Sequence, residues 1–294
     1  MPSRGLFVVV ATLLCLIVTL TSGFSFPVDV NGELVGSLDV KDGSELLTAA
    51  KTFCSHLEIK TGHVCDDNMI ETLKAYSSLC WQSEQILNEL ELRDVCRGVA
   101  APTDAAILKM IASDVSRAAE SSPHVRPTKY VEIGSYRGCS TFVVANLSSY
   151  SGGSSILYAH DLWPDQLHQL ADITAPPPPT TEWTFLEFYR GVFSRQLQRR
   201  VIPIRGPSND TLDIHDNGSV SVALVDGDHS YEGCIWDLRK LWPKMQPSSP
   251  VYIHDSDIPD VKRCITEFIA EKAIEKYDMN IRLTTYVRLY TPSF

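Results

Sequence analysis

The chain has 294 residues, 44% of them hydrophobic, enough for one large α/β domain or a medium domain with a small companion. Its 36 acidic and 26 basic residues leave a formal charge of -10, a field that repels a phosphate backbone, and no basic tract overcomes it. Nucleic acid is therefore excluded as a general partner, and the densest basic spots, Arg199-Arg200 and Arg239-Lys240, read as solvated helix faces.

Residues 1–23 read as a signal peptide: Arg4 gives a positive start, Leu6 to Leu20 is apolar and uncharged, and Thr21-Ser22-Gly23 supplies small residues for cleavage. This predicts a secretory route, lumenal or secreted, with no stable membrane insertion once the leader is removed. Two other readings stay open. The apolar run is near the lower limit for an uncleaved type II anchor, and Ser22-Gly23-Phe24-Ser25-Phe26-Pro27 resembles the cleavage motif of bipartite plastid leaders, although an acidic, patterned segment follows it.

Phe26 to Val30 and Glu33 to Val40 alternate apolar and polar residues around Asn31-Gly32, which predicts a β-hairpin. A helix opens near Ser44-Glu45 with Leu46, Leu47, Ala50, Phe53, Cys54 and Leu57 on its apolar face, and Met69 to Tyr76 and Glu84 to Val95 read as two more. Residues 24–98 are thus expected to form a small cysteine-containing α+β module. Its Cys54, Cys65, Cys80 and Cys96 suggest two disulfides with three possible pairings, or four buried thiols, while Cys139, Cys234 and Cys264 leave an odd remainder with at least one unpaired. Three glycosylation acceptor triplets, at Asn146, Asn209 and Asn217, are compatible with export as a disulfide-bonded glycoprotein.

Ala101-Pro102-Thr103 marks a junction, and residues 102–294 are expected to form the main domain, opening with an amphipathic helix from Ala105 to Ala119. Apolar strand-like runs, Lys129 to Ile133, Ser155 to His160, Val201 to Arg205, Val220 to Val225 and Pro250 to His254, then alternate with helical runs, Ser140 to Ser148, Thr184 to Gln198, Glu232 to Lys244 and Pro259 to Lys276. That alternation predicts an α/β fold, a doubly wound, mostly parallel, Rossmann-like sheet covered on both faces. Asn280 to Tyr290 is expected to close it as an antiparallel hairpin, Pro176 to Pro179 to form a stiff loop near the site's mouth, and the aromatic string Trp183, Phe185, Phe188, Tyr189 and Phe193 to be core.

Ligands of such sheets bind outside the carboxyl ends of the strands. The first exit, Glu132-Ile133-Gly134-Ser135-Tyr136-Arg137-Gly138-Cys139-Ser140, carries an acid and two glycines, with Gly134 allowing close backbone approach, Gly138 a tight turn, and exposed N–H groups for a polar ligand. The second ends in Asp161, placed to accept the two hydroxyls of a ribose, which suits an adenosine-containing cofactor. A dinucleotide is disfavoured because the first loop lacks Gly-x-Gly-x-x-Gly. The fourth reads Val225-Asp226-Gly227-Asp228-His229-Ser230-Tyr231-Glu232-Gly233, followed by Asp237, and the fifth Ile253-His254-Asp255.

Taken in this order, these strings resemble the class I S-adenosylmethionine-dependent methyltransferases of the group labelled methyltransferase family 24, over roughly Lys129 to Phe268. The resemblance implies that S-adenosyl-L-methionine lies against Glu132, Gly134, Ser135, Gly138, Asp161 and Asp226. It also implies catalytic roles for Asp226 and for His229 or His254 as general base, and a divalent metal (Mg) on Asp226, Asp228 and Asp255. Two departures stand out: Gln246-Pro247-Ser248-Ser249-Pro250 replaces the glycine pair usual after the fourth helix, and Ser135-Tyr136-Arg137 lacks the commonest loop's extra glycine.

The expected activity is methyl transfer, chiefly to an oxygen of a small-molecule or sugar-containing acceptor. Two other functions compete: a lumenal metal-dependent glycosyltransferase using Asp226-Gly227-Asp228, and a non-catalytic binding module of the same fold. Because S-adenosylmethionine is made in the cytosol, an exported enzyme would need a compartment that imports it.

Overall fold

The computed structural model describes residues 24–30, 33–40, 46–61, 65, 67–96, 103–121, 127–148, 154–163, 182–279, 281 and 284–293. The leader, the type II and plastid readings of it, Asn31-Gly32 and the proline tract at 176–179 lie outside these residues. Among the described residues no helix is long and apolar enough to cross a membrane.

Two compact units emerge, residues up to Ile86 with Gly98–Ala106, and Leu87–Arg97 with Ile107–Phe294. In the first, β1 (Phe24–Val30) pairs antiparallel with β2 (Glu33–Val40), with a register irregularity at Val28/Asp29. α1 (Leu46–Thr61) and the start of α2 (Asp67–Glu89) enclose a core of Ala49, Ala50, Phe53, Cys54, Leu73 and Cys80. The two helices expected at Met69 to Tyr76 and Glu84 to Val95 are largely one continuous helix. The intervening serines do not break it: Ser77 is buried and its hydroxyl donates back to the Leu73 carbonyl at 2.7 Å, while Leu79 and Cys80 extend the apolar stripe. A left-handed Glu91 (φ 54°) separates α2 from the short α3 (Arg93–Cys96).

The larger unit follows α4 (Asp104–Ser121) with β3 (Thr128–Ile133), α5 (Cys139–Leu147), β4 (Ser155–Asp161), α6 (Glu182–Ser194), β5 (Val201–Arg205) and α7 (Ser208–Thr211). It continues through β6 (Val222–Val225), α8 (Tyr231–Leu241), β7 (Pro250–Ile253), α9 (Pro259–Lys272), β8 (Tyr277–Asp278) and β9 (Val287–Tyr290). The seven strands lie in the order β5-β4-β3-β6-β7-β9-β8, with β3 to β7 mutually parallel and β9 antiparallel to both neighbours. This is the doubly wound, mostly parallel α/β sheet expected from the sequence. The chain moves outward from β3 to β5, then returns to β6, so the switch point falls between β3 and β6. Every residue of β6 is buried, as a parallel strand covered on both faces requires.

Strand ends match the sequence reading to within two residues, whereas helix ends differ for identifiable reasons. α8 is capped by Ser230, whose hydroxyl accepts the Gly233 N–H, and Trp242-Pro243-Lys244 tightens into a 3-10 turn. α9 stops at a left-handed Ala273, short of the expected Lys276. That leaves Tyr277–Asp278 to form β8, so the closing hairpin begins before Asn280 and inserts β9 between β7 and β8. The expectation for Arg200 as a solvated residue is also corrected: its guanidinium is half-buried, donating to the Ala145 carbonyl (2.6 Å) and to the hydroxyls of Ser148 and Ser155.

The disulfides differ from both expected arrangements. Cys54 pairs with Cys65, Cys96 with Cys139 across α3 and α5, and Cys234 with Cys264 across α8 and α9. The four early cysteines therefore do not close among themselves, and Cys80 is buried and takes part in none of the three. The odd remainder vanishes because Cys139 lies at the start of α5, within reach of α3.

Candidate active site

The turn after β3 is built from glycine geometry. Gly134 (φ +89°) has no room for a side chain: a Cβ there would lie 1.8 Å from the Asp226 carbonyl oxygen. The backbone at Gly134 thus makes a close approach to the protein's own Asp226. Gly138 (φ +92°) turns the chain into α5, where a Cβ would strike the rings of Phe142 and Phe188. Between them, the Ser135 hydroxyl is buried without a hydrogen-bond partner among the described residues.

Glu132 was expected against the cofactor, but the structure places it beneath the rim. It is 0% exposed and its carboxylate accepts from Tyr130 Oη (3.0 Å), Ser140 Oγ (2.6 Å) and Thr141 Oγ1 (2.9 Å). Its role there is to bind the first turn of α5 to β3. Burial pushes its carboxyl up to about 7 against the opposing pull of these hydroxyls.

At the end of β4, Asp161 receives two backbone amides, Trp163 N–H on Oδ1 (2.9 Å) and Tyr136 N–H on Oδ2 (2.7 Å). Burial raises its pKa, opposed by those amides. Each oxygen keeps a further lone pair, so the carboxylate fits a ribose diol. The Asp161 carboxylate and the unpartnered buried Ser135 hydroxyl, one residue before Tyr136, are an acceptor and a donor of the kind S-adenosylmethionine would need. Tyr136 and Trp163 carried no signal in the sequence that marked them for this work.

A second cluster lies past β6 and β7. Asp226 follows β6 directly, its N–H donating to the Ile133 carbonyl (2.8 Å), and His254 follows β7, its N–H donating to Val225 (3.0 Å). Their side chains meet at 3.0 Å between His254 Nδ1 and Asp226 Oδ1. His229 Nε2 lies 3.1 Å from Asp255 Oδ2 and 3.6 Å from Asp226 Oδ1. Burial would raise Asp226, but the adjacent imidazoles of His254 and His229 hold it below the usual carboxylate range. His229 is pushed up by the nearby Asp226 carboxylate, with burial opposing and Asp255 assisting. Tyr286, at the edge of β9, lays its ring 4.4 Å from that of His254, a contact no local pattern predicts.

Asp226, His229 and Asp255 offer ligand atoms all within 4.8 Å of one another, a set that could hold a metal. Asp228 is not in that set: its carboxylate accepts the Ser230 N–H at 2.9 Å and so shapes the entry to α8. The third donor is an imidazole in place of the expected carboxylate. Two carboxylates with one imidazole suit a first-row divalent ion better than magnesium, which prefers an all-oxygen shell. Asp237 also serves the scaffold: Ser208 Oγ donates to it, and burial pushes it up to about 6.

Residues 131–256 match the model of a family described as a methyltransferase domain. Among solved structures, the O-methyltransferase NovP superimposes with a TM-score of 0.52 at 18% identity, covering 69% of this chain and 88% of that one. A Corynebacterium glutamicum protein gives 0.50 at 14% identity, covering 76% and 97%. An uncharacterized Sinorhizobium fredii protein, y4gI, is 25% identical over 158 residues, 53% of this chain but 16% of that protein's own length. The matched residues run from within β3 to just past β7 and contain both clusters, so this part of the chain matches a methyltransferase domain and has the fold seen in the O-methyltransferase NovP.

Proposed function

We propose that this domain transfers the methyl group of S-adenosylmethionine to a hydroxyl oxygen of a small-molecule or sugar-containing acceptor. The observation that carries this reading is adjacency: Asp161 leaves β4 and Asp226 leaves β6, the two strands that flank β3, and Asp255 leaves β7 next to β6. Asp161 is an acceptor for ribose hydroxyls and the Asp226-His229-Asp255 cluster a group able to take a proton. In the step proposed, the acceptor oxygen attacks the methyl carbon, the C–S bond breaks as C–O forms, and S-adenosylhomocysteine leaves as a neutral thioether. The acceptor's proton passes to His229, the more open imidazole at 44% side-chain exposure against 10% for His254. With Nε2–H directed at Asp255 and Asp226, its Nδ1 is the accepting nitrogen. His254, bonded to Asp226, keeps that carboxylate in place.

The convergence of three donor atoms supports a second mechanism for the same reaction, in which a divalent ion on Asp226, His229 and Asp255 would acidify the acceptor hydroxyl. Exhaustive chelation separates the two: unchanged turnover supports His229 as base, and turnover restored by manganese supports the ion. The glycosyltransferase alternative draws less support, because Asp228 lies outside the set of three converging donors and accepts the Ser230 N–H. Isothermal titration tests the cofactor directly. Absence of S-adenosylhomocysteine binding would remove the enzymatic reading and leave the binding-module one.

Export through the secretory route is proposed on the three disulfides and on two exposed acceptor asparagines, Asn209 and Asn217. Asn146 is a poor acceptor because its amide donates to the Phe142 carbonyl within α5 at 2.7 Å. A glycosidase-sensitive mass shift on the protein from its native host would support this route.

A further inference from the structure

Trp163 is 1% exposed, yet its backbone is left-handed (φ 29°), and so is that of Tyr136 (φ 45°) on the facing loop. Non-glycine residues hold this conformation only where their surroundings fix it. Here three hydrogen bonds fix it. The Trp163 backbone N–H donates to Asp161 Oδ1, the Tyr136 N–H donates to Asp161 Oδ2, and the Trp163 indole N–H donates to the Tyr136 carbonyl at 2.6 Å. The bonds form a closed circuit joining the end of β4 to the loop after β3. The indole ring is held in turn by Phe188 (4.7 Å between centroids) and Phe185 (5.1 Å), both on α6.

We infer that Trp163 is a positioning residue for the cofactor: through its indole N–H it locks the Tyr136 peptide, and through that peptide it sets the Asp161 carboxylate before the ribose arrives. The inference rests on the cofactor reading of Asp161. A carboxylate on a free side chain must give up rotamer freedom to bind a diol, whereas one held by two amides has already done so. The two strained residues lie where ordering the site in advance lowers the cost of binding.

Trp163→Phe keeps an aromatic ring against Phe185 and Phe188 but removes the donor together with part of the indole, which is why the comparison in two backgrounds is needed. Measured by calorimetry with S-adenosylhomocysteine, W163F should bind about tenfold more weakly than the parent chain, in keeping with the loss of one buried hydrogen bond. In the Asp161→Ala background the same change should alter affinity less than twofold. Equal losses in both backgrounds would overturn the proposal, since Trp163 would then act on the ligand or on the fold at large. A second readout needs no variant and no ligand. In the full-length protein the Trp163 indole N–H resonance should exchange slowly with deuterium before any S-adenosylhomocysteine is added, and free exchange until ligand is added would equally overturn it. If the parent chain fails to bind S-adenosylhomocysteine while that N–H is protected, the circuit stands but the cofactor reading falls, and with it this role for Trp163.

Discussion

The two halves of the site are made in opposite ways. At the β4 exit, backbone amides and glycines do the shaping, and the single carboxylate there is already bonded twice. Past β6 and β7 the backbone only delivers side chains, and four of them, Asp226, His229, His254 and Asp255, crowd within hydrogen-bonding range. Under the proposed function, the difference follows from what each half would have to do. Binding a cofactor in one pose calls for fixed dipoles that need no rearrangement, while accepting a proton calls for groups whose charge can change.

The seam between the halves is Gly134 against the Asp226 carbonyl, and breaking it should have the largest effect. Gly134→Ala puts a methyl where there is 1.8 Å of space and keeps a left-handed backbone. It should destabilise the domain by more than about 4 kcal/mol, seen as a collapse of the thermal transition or insoluble expression. Next in size, His229→Gln should lower kcat by roughly 100-fold or more while S-adenosylhomocysteine affinity stays within threefold of the parent. A matching loss of cofactor affinity would show that the halves are not separable. Asp161→Ala should do the converse, weakening cofactor binding by about 10- to 100-fold with kcat at saturating cofactor within threefold of the parent's, and its melting temperature should fall by a few degrees because the Tyr136 and Trp163 amides lose their acceptor.

How much of this could be read in the sequence follows the same division. Strands were legible because uninterrupted apolar runs such as Val222 to Val225 have few other destinations in an α/β chain. Asp161, Asp226, His229, His254 and Asp255 were legible because each sits at or just past the end of such a run. Illegible were the contacts that depend on which loops meet: Trp163 with Tyr136, Tyr286 with His254, and Cys96 with Cys139. Glu132 and Gly134 were legible as special, but not their protein partners, since composition cannot show that the acid meets the hydroxyls of Tyr130, Ser140 and Thr141 or that the missing Cβ faces the Asp226 carbonyl. Asp228 lies outside the converging donors, and the partner of its carboxylate two residues on, the Ser230 amide, was not legible either.

Glu132 supplies the subtlest comparison, because it lies under both halves and touches neither pole of the chemistry. Its folded pKa of about 7 is above the ordinary 4.5, so the folded state binds its proton more tightly than the unfolded chain does. The stability it contributes is therefore fully present below about pH 4.5 and is lost as the pH rises through 7. His160 and His215 act with the opposite sign. Buried together with Nε2 atoms 3.0 Å apart, they are depressed to about 3 and about 4, so their contribution is present above 6.5 and lost as the pH falls. Asp237, pushed up to about 6, shares the sign of Glu132. All three remain in a Glu132→Gln variant, so subtracting its stability curve from that of the parent isolates Glu132. Denaturant titrations between pH 5 and 7.5 should show the variant gaining on the parent as the pH rises, by on the order of 1 kcal/mol. A difference independent of pH would mean that Glu132 is ionised throughout, its charge carried by the hydroxyls of Tyr130, Ser140 and Thr141.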